Sequence, residues 1–357
     1  MKICILSDGS SIHIQEWAKY FCDLGHEIYL ISEKPTEISG ITVCQIKKYE
    51  HKIHLPVISS IYQICRKVIS IKRILKEIKP DILHSHYANI YGFLGALSKF
   101  HPHIMTCHGS DLLVHPRDSR IEKLFVKYAL HSADAITLPS TEMKNIAMEF
   151  SAPAGKIHKI QYGIETDKFS FTARSDNKIN LLSTRNLTPQ YCTELILEAV
   201  PNLIEIYPNI HLIIAGNGPE KEKLVAQTHR LEIEDSVTFL GHVDHTKISG
   251  LYKNADIYIT ASPTDGLSIS LLEAFASGLL PVLPDNPSNS ELEQYGFNFI
   301  LYQTGNPEDL TNKLKIALEE IKNFESKKRD NRKLVEQFFD RDENLKKINA
   351  IYHQLIK

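Results

Sequence analysis

The sequence predicts an α/β protein built on two parallel sheets, each covered by helices on both faces. Short apolar runs alternate with helical patterns along the whole chain, as expected for parallel strands buried on both sides. The alternation breaks once, at about 165–177, where Thr166 to Lys178 turns polar between two strand patterns. A length of 357 residues exceeds one ordinary domain and suits two of similar size.

In the first half, strands are expected at Lys2–Ser7, Glu27–Ser32, Ile41–Ile46, Asp81–His86, His103–His108, Ala135–Leu138 and Ile157–Gln161. Helices fall between most of them, at about 13–23, 57–79, 89–99, 119–132 and 141–150. A second series begins with Lys178–Ser183. It continues through His211–Ala215, Val237–Leu240, Asp256–Thr260, Leu280–Leu283 and Phe299–Tyr302. Residues from about 326 onward are helical and charged. Two Rossmann-like domains, 1–165 and 166–335, followed by a terminal segment 336–357, are the expected organisation. In such sheets ligands sit at the carboxyl ends of the strands.

Composition removes several classes of function. Hydrophobic content of 43% and charged content of 24% are ordinary for a globular protein. A net charge of −2 argues against a general nucleic-acid binder. No run of about 18 apolar residues offers a membrane span, and the apolar part of Met1–Gly9 is too short for a signal peptide. The six cysteines (Cys4, Cys22, Cys44, Cys65, Cys107 and Cys192) show no CxxC spacing, which suits reduced thiols in a cytoplasmic protein. No G-x-G-x-x-G follows the first strand, so a nicotinamide dehydrogenase is unsupported.

The most informative stretch runs from Ala261 to Ala274. It follows an expected buried strand and opens an expected helix, so backbone N–H groups at the helix start face the strand's end and make an anion site. Two carboxylates flank it, Asp265 on the loop and Glu273 eight positions later on the helix. A phosphate between two sets of hydroxyls, as in a nucleotide sugar, suits that arrangement. Two structural readings stand beside it. Ser270-x-x-Glu273 also matches a capping box, and Asp265-Gly266 also matches a simple turn.

This stretch resembles the acidic-x7-acidic signature of retaining glycosyltransferases of family four, which have the GT-B fold. The resemblance implies two Rossmann-like domains facing across a cleft, the first for the acceptor and the second for the nucleotide sugar. It also implies a C-terminal helix crossing back to the first domain. The first acid would lie at the donor sugar, and Glu273 would hold the ribose hydroxyls. Here the first acid is Asp265 where the family usually carries Glu, which marks a subgroup with a shorter carboxylate. Gly266, Leu267, Ser268 and Ser270 would line the phosphate side.

Further stretches match in the same order. Arg185, in Arg185-Asn186-Leu187-Thr188-Pro189-Gln190-Tyr191, ends a strand and suits a diphosphate through its planar fork. Gln190 stands where the family usually has lysine, so one phosphate cation is missing. Gly216-Asn217-Gly218-Pro219 matches a family turn, read either as architecture or as a ligand contact at Gly216 and Asn217. Gly241 and Val243 match the loop beside the nucleobase. His108, in His108-Gly109-Ser110-Asp111, matches the family histidine at the junction of donor sugar and acceptor. His86 and Asp111 are assigned to the acceptor side. Gly9, Ser10 and Ser11 form the N-terminal loop, a weaker match to a family Gly-Gly turn. The catalytic set is thus Asp265, His108 and Arg185.

The pairs His84/His86 and His101/His103 invite a metal reading, because alternate strand positions share a face. No third ligand at suitable spacing appears, and the resemblance implies a transferase needing neither metal nor cofactor beyond its nucleotide-sugar substrate. From Ile41 to Pro80 nine Lys or Arg face two Glu. Within this region Ile61, Ile64, Cys65, Val68, Ile71, Leu75 and Ile78 form one helical stripe. It reads either as a sheet-covering helix with a solvated basic face or as one also attracted to an anionic membrane through 47–79, where a lipid-linked acceptor would reside.

The expected activity is retaining transfer of a hexosyl-type group from a nucleotide diphosphate sugar, a UDP-sugar first among them. The acceptor would be a hydroxyl of a glycan or lipid-linked molecule in bacterial surface polysaccharide or glycoconjugate synthesis. The expected location is the cytoplasm, peripheral at the inner membrane face. Two alternatives stay open at this stage: a GT-B nucleotide-sugar epimerase, and a non-catalytic glycosyltransferase-like partner subunit.

Overall fold

The computed structural model describes residues 1–46, 56–170 and 178–357. Residues 47–55, the start of the basic region, and 171–177, part of the polar break, lie outside the described residues. The chain forms two compact units, Met1–Ile160 with Lys346–Lys357, and Gln161–Leu345.

The first unit is a seven-stranded parallel sheet. Its strands are β1 (Lys2–Leu6), β2 (Glu27–Ser32), β3 (Thr42–Gln45), β4 (Ile82–His86), β5 (His103–Thr106), β6 (Ala135–Leu138) and β7 (Ile157–Lys159), in the order β3-β2-β1-β4-β5-β6-β7. Strand order reverses between β1 and β4, whose register pairs Leu6 with Ser85. β5 stops at Thr106, earlier than the apolar pattern suggests, because Gly109 at φ 145° takes the chain into a turn. One core cluster packs Leu6, Ile31, Ile71, Leu75 and Leu94, and a second packs Met105, Val126, Leu130 and Ile136.

The helix Pro56–Ile78 buries only part of its expected stripe. Ile71 and Leu75 are buried, whereas Ile61 and Cys65 are exposed, and Ile74 joins the packed side instead. After β4 the chain opens as a π-helical turn, Tyr87–Gly92, before the helix Phe93–Ser98. The last residues of the helix Arg341–Ile356 belong to this unit. Tyr352 is buried, bonds His84 Nδ1 at 2.6 Å and packs on Phe21, while Asn349 bonds His26 at 3.0 Å.

The second unit is a six-stranded parallel sheet of β8 (Ile179–Ser183), β9 (Ile210–Ala215), β10 (Val237–Gly241), β11 (Ile257–Ile259), β12 (Leu280–Pro284) and β13 (Ile300–Tyr302). Its order is β10-β9-β8-β11-β12-β13, so the reversal falls between β8 and β11. Two apolar clusters cover the two faces, one around Leu181, Ile214 and Leu314, the other around Tyr252, Tyr258, Leu272 and Phe275. At such a reversal adjacent loops diverge to opposite faces and leave a crevice at the strands' carboxyl ends. In the second unit Arg185 and Asp265 follow β8 and β11, the strands at the reversal; in the first, Gly9 to Ser11 follow β1, and His108 and Asp111 follow β5, next to β4.

Candidate functional site

Within the second unit, the loop after β8 carries Arg185 and the loop after β11 carries Asp265. The two meet as an ion pair, Arg185 Nη2 to Asp265 Oδ2, at 2.7 Å. Asp265 Oδ1 accepts from the Gly266 N–H at 2.8 Å, so both carboxylate oxygens are engaged. Arg185 Nη1 donates to Ser268 Oγ and, at 3.2 Å, to Ser270 Oγ, and these two hydroxyls lie 2.7 Å apart. The Tyr191 ring lies against the guanidinium at 4.3 Å, a cation–π contact. Burial opposes the charge, but the Asp265 carboxylate outweighs it and holds Arg185 more firmly protonated than usual. Arg185 Nε is buried without a partner, as are the hydroxyls of Thr188 and Ser262. An uncompensated buried donor is costly.

The neighbouring turn, read at Gly216 as either architecture or ligand contact, has a clear packing role. A Cβ on Gly216 would lie 2.1 Å from the Arg185 carbonyl oxygen, and one on Gly218 equally close to that of Leu187. The Asn217 carbonyl accepts from Leu187 N–H at 3.0 Å. The turn is pressed against the Arg185 loop and fixes its path, while the Asn217 side is exposed. Gln190, in a 3-10 turn, is exposed. Gly241 ends β10 at a register shift with φ 69°, a conformation glycine adopts without strain. Val243, two residues on, is half-buried.

The helix after β11 runs Ile269–Ala276 with Ser268 at its N-cap. Ser268 makes no capping bond through its side chain, because its hydroxyl is turned to Arg185 and Ser270. Ser270 is inside the helix, so the capping-box reading of Ser270 and Glu273 does not hold. Glu273 is instead a buried helix carboxylate, 3.7 Å from His245 Nε2. Leu267 sits at φ 80°, a conformation unfavourable for a bulky residue, and its carbonyl accepts from Gln161 Nε2 at 2.5 Å. Tyr258 OH bonds Ser270 Oγ at 2.8 Å, and Tyr252 OH donates to the Ser270 carbonyl at 3.0 Å. Sequence reasoning missed this support. Tyr258 lies in a strand pattern that reads as core, and no local signal marks Gln161 or Tyr252.

Within the first unit, His108 follows β5 and is half-buried, stacked on Tyr87 at 4.3 Å between ring centres. Its Nε2 lies 3.0 Å from His86 Nδ1. His86 is fully buried and its Nε2 has no partner. A buried lone pair costs less than a buried orphan N–H, so His86 carries its proton on Nδ1 and donates to His108 Nε2. His108 then carries its own proton on Nδ1. Burial pushes His108 down to about 4 and His86 well below the usual imidazole range, so the pair is neutral near pH 7.

Both residues assigned to the acceptor side are buried. His86 is fully buried beside His108 and Trp17, whose ring lies 4.9 Å away. Asp111 is also fully buried, and its carboxylate accepts three backbone N–H bonds, from Ala88 at 2.8 Å, His108 at 3.0 Å and Gly109 at 2.9 Å. It ties the π-helical turn to the His108 loop. In the N-terminal loop, Gly9 N–H donates to Ser32 Oγ at 2.9 Å, and Ser10 Oγ donates to Asp8 at 2.7 Å. Ser11 caps the helix Ile12–Asp23 through its backbone position only. His84 and His86 do share a face, stacked at 4.5 Å, but both ring nitrogens of His84 are spent on Tyr352 and Thr106.

Residues 164–333 match the family Glycosyl transferases group 1, and residues 2–140 match Glycosyl transferase 4-like. Both units carry glycosyltransferase domains. An uncharacterised glycosyltransferase of Methanocaldococcus jannaschii is 24% identical over 85% of this chain and 83% of its own length. The alpha-monoglucosyldiacylglycerol synthase of Streptococcus pneumoniae is 25% identical over 60% of this chain and 48% of its own. Among solved structures, HepE of Anabaena in complex with UDP-glucose aligns with TM-score 0.83 and 18% identity, covering 99% of this chain and 100% of that one. Sucrose-phosphate synthase of Thermosynechococcus elongatus aligns with TM-score 0.86 and 14% identity over 99% of each chain. These likenesses establish the fold: two parallel-sheet Rossmann-like domains of the GT-B type.

Proposed function

We propose that this glycosyltransferase moves a hexosyl-type group from a UDP-sugar to a hydroxyl of a glycan or lipid-linked acceptor, with retention at the anomeric carbon. Bacterial surface polysaccharide or glycoconjugate synthesis is the setting we assign, and a relative named for a glucosyl diacylglycerol supports a lipid acceptor. One observation carries the donor reading. At the strand reversal of the second unit, Arg185 with its unpartnered Nε converges with Ser268, Ser270 and a helix start, an excess of hydrogen-bond donors around one buried spot.

In this reading the C1–O bond to the diphosphate breaks while a C1–O bond to the acceptor hydroxyl forms on the same face. The acceptor proton passes to the departing phosphate oxygen. Arg185 and the helix start take up the charge that grows on the diphosphate, where preorganised donors contribute most. Asp265 holds the guanidinium in place beside the donor sugar. Glu273 takes the ribose hydroxyls. His108, neutral and protonated on Nδ1, serves the junction of sugar and acceptor by the family resemblance, and Asp111 and His86 hold it there.

A thermal-shift screen over UDP-, GDP- and ADP-sugars tests the donor class. A UDP-sugar should raise Tm most, and that sugar should be hydrolysed or transferred slowly when offered with a membrane or glycan extract. Equal, negligible shifts with all three nucleotides would remove the reading.

A further inference from the structure

The outer surface of the helix Arg120–Ser132, in the first unit, carries a feature that sugar transfer does not use. Ile121, Leu124 and Tyr128 stand three and four residues apart on one face, and are 63%, 65% and 40% exposed. Val126, Ala129 and Leu130 on the other side are buried, while at the edge of the stripe Phe125 stacks on Phe93 at 4.1 Å and Tyr128 meets the same ring edge-on at 6.0 Å. Exposed Ile90 sits on the π-helical turn that packs against this same helix. Large apolar side chains left out of a core at this spacing mark an interaction surface.

Cations border the stripe. Arg117, Arg120 and Lys123 line a pocket of about 410 Å³ whose apolar lining includes Ile146 and Phe150 and whose acid is Glu149. Among the described residues, Arg117, Arg120 and Lys127 make no ion pair, and the helix's own Glu122 is turned toward His115 and Asn89. In the basic helix Pro56–Ile78, Lys67 pairs with Glu33 at 2.6 Å and Arg73 with Glu77 at 3.6 Å, while Lys72 and Lys76 make no ion pair among the described residues. An apolar ridge with unneutralised cations beside it is the pattern that lies flat on a charged lipid surface, the ridge entering the acyl boundary and the cations meeting phosphates.

We propose that the Ile121–Leu124–Tyr128 face, with the Arg117–Arg120–Lys123 pocket as its headgroup site, docks on an anionic phospholipid bilayer. This goes beyond the transfer reading and needs no donor or acceptor, so either can fail while the other stands. The test is sedimentation of the full chain with vesicles of phosphatidylcholine alone or with about a third phosphatidylglycerol, at low and high salt. The wild type should bind only the anionic vesicles and release in high salt. The triple variant Arg117→Gln/Arg120→Gln/Lys123→Gln should bind about 100-fold more weakly. Ile121→Ser/Leu124→Ser should lose about tenfold or more. Because these side chains are exposed, both variants should keep the wild-type Tm and UDP-induced shift. A wild type that ignores anionic vesicles overturns the proposal. So does loss of binding in Lys72→Gln/Arg73→Gln together with wild-type binding in the two variants above.

Discussion

Arg185 and Asp265 stand 80 residues apart in the chain and 2.7 Å apart in the structure, each holding the other in place at the strand reversal of the second unit. The shorter carboxylate fits this pairing, with one oxygen on the guanidinium and the other on the Gly266 N–H. Asp265→Glu adds a carbon–carbon bond of about 1.5 Å and pushes the guanidinium out of register with Ser268 and Ser270. Transfer should fall about 100-fold, the cost of a misplacement of that size. Asp265→Asn keeps the shape and removes the charge, and should also reduce both transfer and UDP affinity. An Asp265→Glu variant faster than wild type would show that the carboxylate contacts substrate and does not chiefly position Arg185.

The glycine turn offers a test that leaves every charged group intact. Gly216→Ala places a carbon 2.1 Å from a backbone carbonyl that cannot rotate away, so the loop bearing Arg185 must shift. Overpacking of this kind costs about 1–3 kcal/mol, measurable as a lower urea midpoint, and UDP binding should fall with it. Gly218→Ala should behave alike. Gly250→Ala is the control, because nothing lies within 4 Å of its added carbon. Equal urea midpoints for Gly216→Ala and Gly250→Ala would mean that the turn is free to adapt.

Much of the fold was legible because parallel strands buried on both faces leave long apolar runs, and helices between them leave a different period. The loops at the strand ends were therefore findable, and Arg185, Asp265 and Glu273 lie on them or just beyond. Partnership was not legible. Nothing in the spacing of Arg185 and Asp265 says that they neutralise each other, or that the carboxylate of Asp111, assigned to the acceptor side, is consumed by three backbone N–H groups. Ser270-x-x-Glu273 has the residue types of a capping box, but the helix begins earlier, at Ile269. A leucine at φ 80° is contrary to local preference; its side chain packs in the second unit's core and its carbonyl accepts from Gln161, 106 residues away in sequence.

Four histidines, His84, His86 and His103 buried and His108 half-buried, make the first unit acid-sensitive. Burial lowers His84 to about 3, His103 and His108 to about 4, and His86 well below its ordinary value of 6.5. The unfolded chain takes up these protons near its ordinary pKa while the folded chain does not, so stability falls as pH drops from about 6.5 toward 4. Each histidine adds a slope of at most about 1.4 kcal/mol per pH unit. Urea midpoints should be flat from pH 8 to 7 and decline steeply below about pH 6. A midpoint unchanged between about pH 7 and pH 5 would contradict the buried, neutral cluster.

Glu273 and Arg185 should fail in opposite ways. Glu273 lies inside the helix, buried beside His245 and away from any capping duty, so Glu273→Gln should leave Tm near wild type. If its carboxylate takes the ribose hydroxyls, losing two charge-assisted hydrogen bonds should cost about 1.5–3 kcal/mol each at most. That loss should appear with UDP, UMP and uridine alike, and should spare inorganic pyrophosphate. Arg185→Ala should instead lose UDP and pyrophosphate, retain uridine, and lower transfer by about 100-fold or more. Calorimetry with these four ligands separates the roles. Uridine affinity unchanged in Glu273→Gln would take the ribose away from Glu273, and pyrophosphate affinity unchanged in Arg185→Ala would take the diphosphate away from Arg185.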